Sequence, residues 1–279
     1  MSVCYFEGNF RPTSECRLPV TDLGIQRGVG VFDSIRIYNH KVFAMDEHLD
    51  RLAKSAEAAG IEYGEIIAKL PGIIREGAAR PDCPMNGECL AKPYITGGDV
   101  NKTGHFTDPR FFVIFEDGGP LTQEEYKSGV GLHPTSEGRP YPLIKTTNYL
   151  VGLMQCAGMG DVLECLYCPG GEITETLRSS FFLCLGGKII TAPTGRVLGG
   201  VTRNIIVQLA EENGFDVEER CPLLSEIASA DEAFVTSSWK EVMPVVRIGD
   251  TRIGTGKPGP VSMHLHKLFR SSMDRWLDQ

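Results

Sequence analysis

The sequence has no run of about 18 apolar residues, the length a helix needs to cross a bilayer, so no segment is expected to span a membrane. It also lacks a secretory start: MSVCYFEGNFRP has no basic opening followed by an apolar stretch and a small-residue cleavage site. Basic charge is in short supply, with 28 Lys and Arg against 36 Asp and Glu and a net charge of −8. A general nucleic-acid binder needs a basic stripe to neutralise phosphates, so that class is excluded; a small anionic ligand needs only a few arginines and is not. The nine cysteines are an odd set without framework spacing, which points to free thiols in a reducing compartment. Cys165 and Cys168 make a C-x-x-C, but no second pair at zinc-site spacing follows, and ECLYCPGG has the pattern of a strand entering a turn. Missing too are a G-x-S-x-G elbow, a Walker loop, a dinucleotide fingerprint, an internal repeat and any low-complexity tract. These absences leave a cytoplasmic globular protein.

What is present suits one large or two modest domains: 279 residues, 42% hydrophobic and 23% charged. VCYFEGNFRP predicts a hairpin, and GVFDSIRIYNHKVF predicts strands around a turn at Asn39-His40. MDEHLDRLAKSAEAAG places Leu49, Leu52, Ala53 and Ala56 at helical spacing and stops at Gly60. EYGEIIAKLPGIIREGAA predicts a second helix, and PYITGGDV and RFFVIFED two strands across a polar loop. EDGGPLTQEEY has linker composition. Beyond it VGLHPT, DVLECLYC, FFLCLGG, KIITAP, EAFVTSS and PVVRIGDTRI predict strands, and TNYLVGLMQCAGMG, VTRNIIVQLAEENG and MHLHKLFRSSMDRWL predict helices. The expected division is a small N-terminal α+β domain over 1–117, a linker over 118–125 and a larger α/β domain over 126–279. His264 and His266 are two apart on a helix, hence on different faces, and are expected at the surface.

Five local patterns suit a phosphorylated aromatic aldehyde. In LIKTTNYL, Lys145 stands among apolar and small neutral residues, where desolvation helps a lysine shed its proton and act as a nucleophile. In GEITETLRSSFF, Glu175 lies in an apolar strand context, and a carboxylate there can keep a pyridine nitrogen protonated. VLGGVTRNIIVQLA leads small residues into a helix, freeing backbone N–H groups and the Thr202 hydroxyl for a phosphate. Arg51 in EHLDRL can fork onto phosphate oxygens, and Ser237 and Ser238 in FVTSSWKEVMPV offer hydroxyls and amides to the same group. Taken singly, each has a plainer use: a snorkelling lysine, an edge-strand glutamate, a helix cap, a solvated arginine. Their order and spacing together carry the argument.

That order resembles the class IV aminotransferases, the fold type IV pyridoxal 5′-phosphate (PLP) enzymes, over nearly the whole length. The family's opening D-x-x-x-x-x-G-x-x-x-[FY]-[ED] is found from Asp22 through Gly28 to Phe32 and Asp33. EHLDRLAKSA, IKTTNYL, GEITE, GGVTR and the stretch ending in MPV match its later segments. The resemblance implies an α/β fold with a small N-terminal α+β domain and a larger C-terminal pseudo-barrel domain. It implies that Lys145 is the Schiff-base lysine, Glu175 the partner of the pyridine nitrogen and Arg51 a phosphate ligand. Val201, Thr202 and Ser238 complete the phosphate cup, and Tyr149 stands near the ring hydroxyl. It further implies a homodimer acting on amino acid and 2-oxo acid substrates, with no metal.

Departures from the family pattern bear on substrate. TETLRSSFF stands where members commonly read T-E-G-x-x-x-N-x-F: Thr176 replaces the glycine, Arg178 enters the pocket-lining stretch and Ser180 replaces the asparagine. The Arg-x-His carboxylate trap of D-amino-acid transaminases corresponds to ITGGDVNKTGHF, where Lys102 lies near the arginine position and His105 is out of step. Arg27, Arg178 and Lys240 are expected to supply a substitute carboxylate site, with Phe32 and Trp239 in the side-chain pocket. A cation-rich pocket favours D-amino acids over the backbone-amide trap of branched-chain L-enzymes. A branched-chain transaminase, an aminodeoxychorismate lyase, an (R)-amine transaminase and a non-catalytic PLP-binding protein are the alternatives. Lys145 together with Glu175 argues against the last, because binding alone needs no electron sink.

Overall fold

Short-range turn chemistry starts the fold. Strands β1 (Val3–Phe6) and β2 (Asn9–Pro12) form a hairpin whose two-residue turn, Glu7-Gly8, has positive φ at both positions. Such a turn matches the twist of the flanking strands. The computed structural model describes residues 2–100, 106–118 and 123–278, with the side chains of Met85, Asn86, Val100 and Thr107 excepted. Lys102 and His105 therefore lie outside the described residues. Helix α1 (Leu23–Arg27) is capped by the Asp22 carboxylate, which accepts from Gly24 N at 2.7 Å, and is closed by Gly28 in the left-handed region. Next come β3 (Gly30–Phe32), β4 (Ile35–Tyr38) and β5 (Lys41–Val42), the last two turning at Asn39-His40 with positive φ at both. Helices α2 (Met45–Ala58) and α3 (Gly64–Ala79) and strands β6 (Cys89–Val100) and β7 (Phe106–Glu116) follow.

These strands make one antiparallel sheet in the order β2-β1-β7-β6-β4-β5, with β3 on β6. Helix α2 buries Met45, Leu49, Leu52 and Ala56, one face of a 3.6-residue period, and α3 buries Ile66, Leu70, Ile73 and Ile74. Both stripes enter a core shared with Ile35, Ile37, Ile95, Val113 and Phe115 of the sheet. Gly77 of α3 lies flat on the Phe115 ring: a Cβ there would come within 2.0 Å of its Cζ.

The second sheet is mixed. Helix α4 (Gln123–Ser128) begins within the segment expected as linker, 118–125, and runs past its end, and β8 (Val130–Thr135) follows it. Helix α5 (Leu150–Cys156) is shorter than its sequence pattern, because Gly158 and Gly160 take left-handed backbone just beyond it. Then come β9 (Glu164–Tyr167), β10 (Ser180–Leu185), β11 (Lys188–Thr191), α6 (Val201–Glu212) and β12 (Asp216–Glu219). Strands β13 (Glu232–Ser237), β14 (Glu241–Ile248) and β15 (Thr251–Arg252) and helix α7 (Pro260–Ser271) complete it. The strand order is β12-β11-β10-β13-β14-β8-β9, with β15 on β14. Pairing is parallel at β11/β12, β14/β8 and β8/β9. Its core gathers Leu132, Leu166, Phe181, Leu183, Val235 and Met243.

The chain divides into two units, one of Met1–Gly119, Ile144–Asn148 and Met273–Gln279, the other of Pro120–Leu143 and Tyr149–Ser272. A single cut at 118–125 misses two features. Ile144–Asn148 belongs with the first unit because its backbone bonds to β3, and the C-terminal residues belong there because Ala44 N donates to Trp276 O and Asp278 N to Val42 O. No helix among the described residues is long and apolar enough to cross a membrane. Replacing Gly77 with alanine should force α3 off β7 and lower stability by about 1–3 kcal/mol. A denaturant melt of the variant checks this, and an unchanged midpoint contradicts the close contact.

Candidate active site

In the first unit, backbone bonds pin the lysine segment on both sides. The Lys145 carbonyl accepts from Phe32 N at 3.0 Å, Thr147 N donates to Gly30 O at 3.0 Å, and Val31 and Thr146 form an antiparallel bridge. Lys145 N donates to Ser55 Oγ of α2 at 3.1 Å. The side chain is half-buried, with Nζ 4.8 Å from the centre of the Phe32 ring. Phe32 stacks on Tyr94 (5.2 Å) and Tyr94 on Phe112 (5.0 Å), so the surface beneath the ammonium is a rigid aromatic column.

The next residue is a charge centre that sequence reasoning missed. Asp33 is wholly buried; Arg51 donates Nε to its Oδ2 at 2.9 Å and Nη2 to its Oδ1 at 2.7 Å. His48 Nδ1 lies 2.7 Å from Oδ1. Burial alone would raise the Asp33 carboxyl, but Arg51 and His48 more than offset that and hold it far below its ordinary range. Burial lowers His48 in turn, against the pull of Asp33. Its Nε2 has no partner among the described residues. The legible signal was His48 and Arg51 three apart on one helix face. Arg27 ends α1 exposed, its Nη1 donating to the Gln26 carbonyl at 2.9 Å.

In the second unit, Glu175 is buried between β9 and β10: Tyr167 N donates to its carbonyl at 2.9 Å, and it bridges Ser180. Its Oε1 sits 3.0 Å from Nε of Arg139, a side chain buried just ahead of YPLIK. Arg139 also donates Nη2 to the carbonyls of Leu177 (2.5 Å) and Thr176 (3.3 Å), and its guanidinium lies 5.6 Å from the Tyr149 ring centre. Burial lowers the Arg139 pKa, yet Glu175 and Tyr149 leave it raised on balance.

Two of the three expected substrate cations meet a single carboxylate. Glu164, at the start of β9, receives Lys240 Nζ at 2.5 Å, Arg178 Nε at 3.1 Å and Arg178 N at 3.0 Å. Thr176 Oγ1 donates to the same group. Lys240, expected among the substrate cations, is buried there on Glu164, whereas the Arg178 side chain is 58% exposed. Burial pushes the Glu164 carboxyl up, but Lys240 and Arg178 bring it down to about 2.

Helix α6 opens at Gly200 with no side-chain cap, and Val201 and Thr202 of its first turn are buried. Ser237 Oγ accepts from Lys240 N at 3.1 Å, while Ser238 and Trp239 are half-buried. The turn after them is held by Glu241, in the left-handed region at φ 52°, a conformation costing a non-glycine residue about 1–2 kcal/mol. Arg270 Nε donates to Glu241 Oε2 at 2.6 Å, and His266 Nε2 lies 2.8 Å from the same atom with its ring stacked on Tyr126. His266 is thus a half-buried anchor of that turn, unlike exposed His264. The partners lie far apart in sequence, so no local motif announces them.

Residues 30–248 match the family described as Amino-transferase class IV. The chain belongs to the class IV aminotransferases. It is 31% identical over 280 residues to a D-alanine aminotransferase of Bacillus licheniformis, covering 96% of each chain. Its fold is similar to that of the Escherichia coli branched-chain amino acid aminotransferase, with a TM-score of 0.86, 26% identity and 99% and 98% of the two chains covered. It is also similar to the branched-chain aminotransferase of Thermoproteus uzoniensis, with a TM-score of 0.81, 22% identity and 99% and 98% covered.

Class IV aminotransferases use PLP, and the second unit fits that group. A Cβ on Gly200 would fall 2.7 Å from Ser180 Oγ, so a bare backbone is required where the uncapped amides of α6 start. Uncapped amides at a helix start favour a phosphate. A buried carboxylate, Glu175, suits a protonated ring nitrogen.

Because the Glu164 carboxyl is lowered on folding from its ordinary 4.5 to about 2, the unfolded chain takes up that proton first on acidification. The stability it supplies is complete above pH about 4.5 and is lost as pH falls to about 2. Removing the pair with Glu164→Gln/Lys240→Met should flatten the acid limb of unfolding free energy against pH by up to about 1.4 kcal/mol per pH unit. Acid unfolding followed by circular dichroism tests this, and an unchanged slope contradicts it.

Proposed function

We propose that this class IV aminotransferase moves the amino group of a D-amino acid to a 2-oxo acid such as 2-oxoglutarate in two alternating half-reactions. The observation that carries the reading is the presentation of Lys145, fixed by backbone bonds on both flanks with Nζ over the Phe32 ring. When bound, PLP supplies the aldehyde that captures the amino group and a ring that accepts the electron pair left at Cα. Lys145 Nζ would take the proton from the substrate Cα as general base and, as general acid, deliver it to the aldehyde-derived carbon on the other side of the nitrogen. Its carbonyl and amide bonds hold it in reach, so little reorganisation accompanies each transfer.

Glu175 would keep a proton on the ring nitrogen, with Arg139 Nε 3.0 Å from its Oε1 to hold the carboxylate in place. Arg51, with its plane fixed by Asp33, would be a phosphate ligand, and Val201, Thr202, Ser237 and Ser238 are the phosphate-binding residues proposed for the second unit. Tyr149 would stand near the ring hydroxyl. Phe32 and Trp239 shape the side-chain pocket, Arg27 and Arg178 draw the substrate carboxylate, and Lys240 acts through Glu164. The D-hand is supported by the likeness to the Bacillus D-alanine aminotransferase over 96% of the chain. The likeness of fold to the Escherichia coli branched-chain enzyme, at 26% identity, favours a second reading as a branched-chain L-amino-acid transaminase.

A homodimer is part of the proposal: Leu150, Leu153 and Met154 of α5, with Tyr141 and Leu143, expose apolar surface that a second copy would cover. Nine free cysteines support a reducing, cytoplasmic setting. The test is production of 2-oxo acid by PLP-loaded protein given D-alanine, D-glutamate or L-leucine with a suitable acceptor. Turnover of the D-amino acids is expected; turnover of L-leucine alone would replace the first reading with the second. Lys145→Ala should cost about 10³-fold or more in turnover with any substrate. Full activity in that variant contradicts the assignment.

A further inference from the structure

We infer that Glu164 is a positioning residue for acid recognition: it anchors Arg178 by Nε and so presents the outer edge of that guanidinium to a carboxylate of the substrate. This rests on the reading of Arg178 as a substrate residue.

Lys240 Nζ is buried and donates to Glu164 at 2.5 Å and to Ser179 Oγ at 3.2 Å. To reach a ligand it would have to leave a carboxylate that is only 1% exposed and give up both of those bonds. Lys240 is therefore a counter-ion. Arg178 is placed differently. Its Nε and its backbone N both donate to Glu164, at 3.1 and 3.0 Å, while Nη1 and Nη2 have no acceptor among the described residues. Its side chain remains 58% exposed.

A guanidinium is planar, so fixing Nε and the backbone amide on one carboxylate leaves little freedom for the plane. The Nη1–Nη2 edge is then a preformed fork of the spacing a carboxylate accepts in two parallel bonds. Preorganisation matters here, because a free arginine loses rotamer entropy on gripping a ligand and a tethered one loses less. Charge points the same way. One carboxylate faces two cations, leaving an excess of one positive charge that a substrate carboxylate completes. Thr176 and Ser179 saturate the remaining Glu164 positions, which holds the turn carrying Arg178 to β9.

The two possible roles of Glu164 predict opposite signs. If it only offsets charge, its removal leaves more positive charge and tightens anion binding. If it aims Arg178, its removal weakens anion binding. Glu164→Gln/Lys240→Met separates these, since it removes the anchor and leaves the net charge of the cluster unchanged.

The experiment is calorimetric titration of glutarate, a dicarboxylate without an amino group, into PLP-loaded holoenzyme, alongside KM for 2-oxoglutarate and cofactor content by absorbance. Arg178→Gln and Glu164→Gln/Lys240→Met should each weaken glutarate by about tenfold or more, the scale of one lost charge-assisted contact. KM for 2-oxoglutarate should rise in parallel, by a larger factor than any fall in kcat. Unchanged binding in Arg178→Gln overturns the parent reading of that residue. Weakened binding there, with unchanged or tighter binding in the double variant, overturns the role of Glu164 and leaves the parent reading standing. If the double variant loses its cofactor, Glu164→Asp keeps the charge and withdraws it by one methylene. That variant should weaken glutarate while cofactor content and melting temperature hold, and unchanged affinity in it overturns the inference.

Discussion

A carboxylate taken out of water must be met by a cation or a set of donors, or it will not stay ionised. This chain has accepted that condition repeatedly, at Asp33, Glu164, Glu175 and Glu241. Asp33 orders Arg51 and His48 beside the strand that holds the lysine segment. Glu175 has Arg139 behind it, and Glu164 gathers Lys240, Arg178 and two hydroxyls. Glu241 draws His266 and Arg270 from α7 onto a strained turn. Each pairing fixes the direction of a side chain or turn that sequence patterns assign to the chemistry. Rigid orientation is what a site that moves protons and grips phosphate requires.

The two units contribute differently. The first holds Lys145 on a scaffold of hydrophobic helices packed on an antiparallel sheet, where Gly77 and Phe115 bring α3 and β7 close together. The second carries the uncapped start of α6, the buried Glu175 and the Glu164 cluster on a mixed sheet. Neither arrangement by itself selects the hand of the substrate. Arg178, exposed beside Glu164, stands where the chain departs from the family pattern, and the choice of hand is proposed to fall there.

Much of this was legible from sequence. Helix α2 was visible in the spacing of Leu49, Leu52 and Ala56, the hairpins in their short polar turns, and the lysine segment in its order relative to GEITE and GGVTR. The fold class follows from the family match over residues 30–248. The pairings were not legible. Lys240 meets Glu164 across 76 residues, and only tertiary structure shows that its charge is already matched. Arg139 carries no mark in SEGRP that announces a buried partner, and His266 passed for a surface residue because the turn it supports lies 25 positions away. Local periodicity reports which face is apolar; it does not report which distant charge will sit beneath it.

Lys145 is proposed as the residue that holds the cofactor and moves the proton. Borohydride reduction of PLP-loaded enzyme, followed by digestion and mass spectrometry, reads that residue directly. The prediction is a single pyridoxyl-modified lysine in the peptide containing IKTTNYL, lost in Lys145→Ala. Modification at another lysine, or undiminished incorporation in that variant, would contradict it.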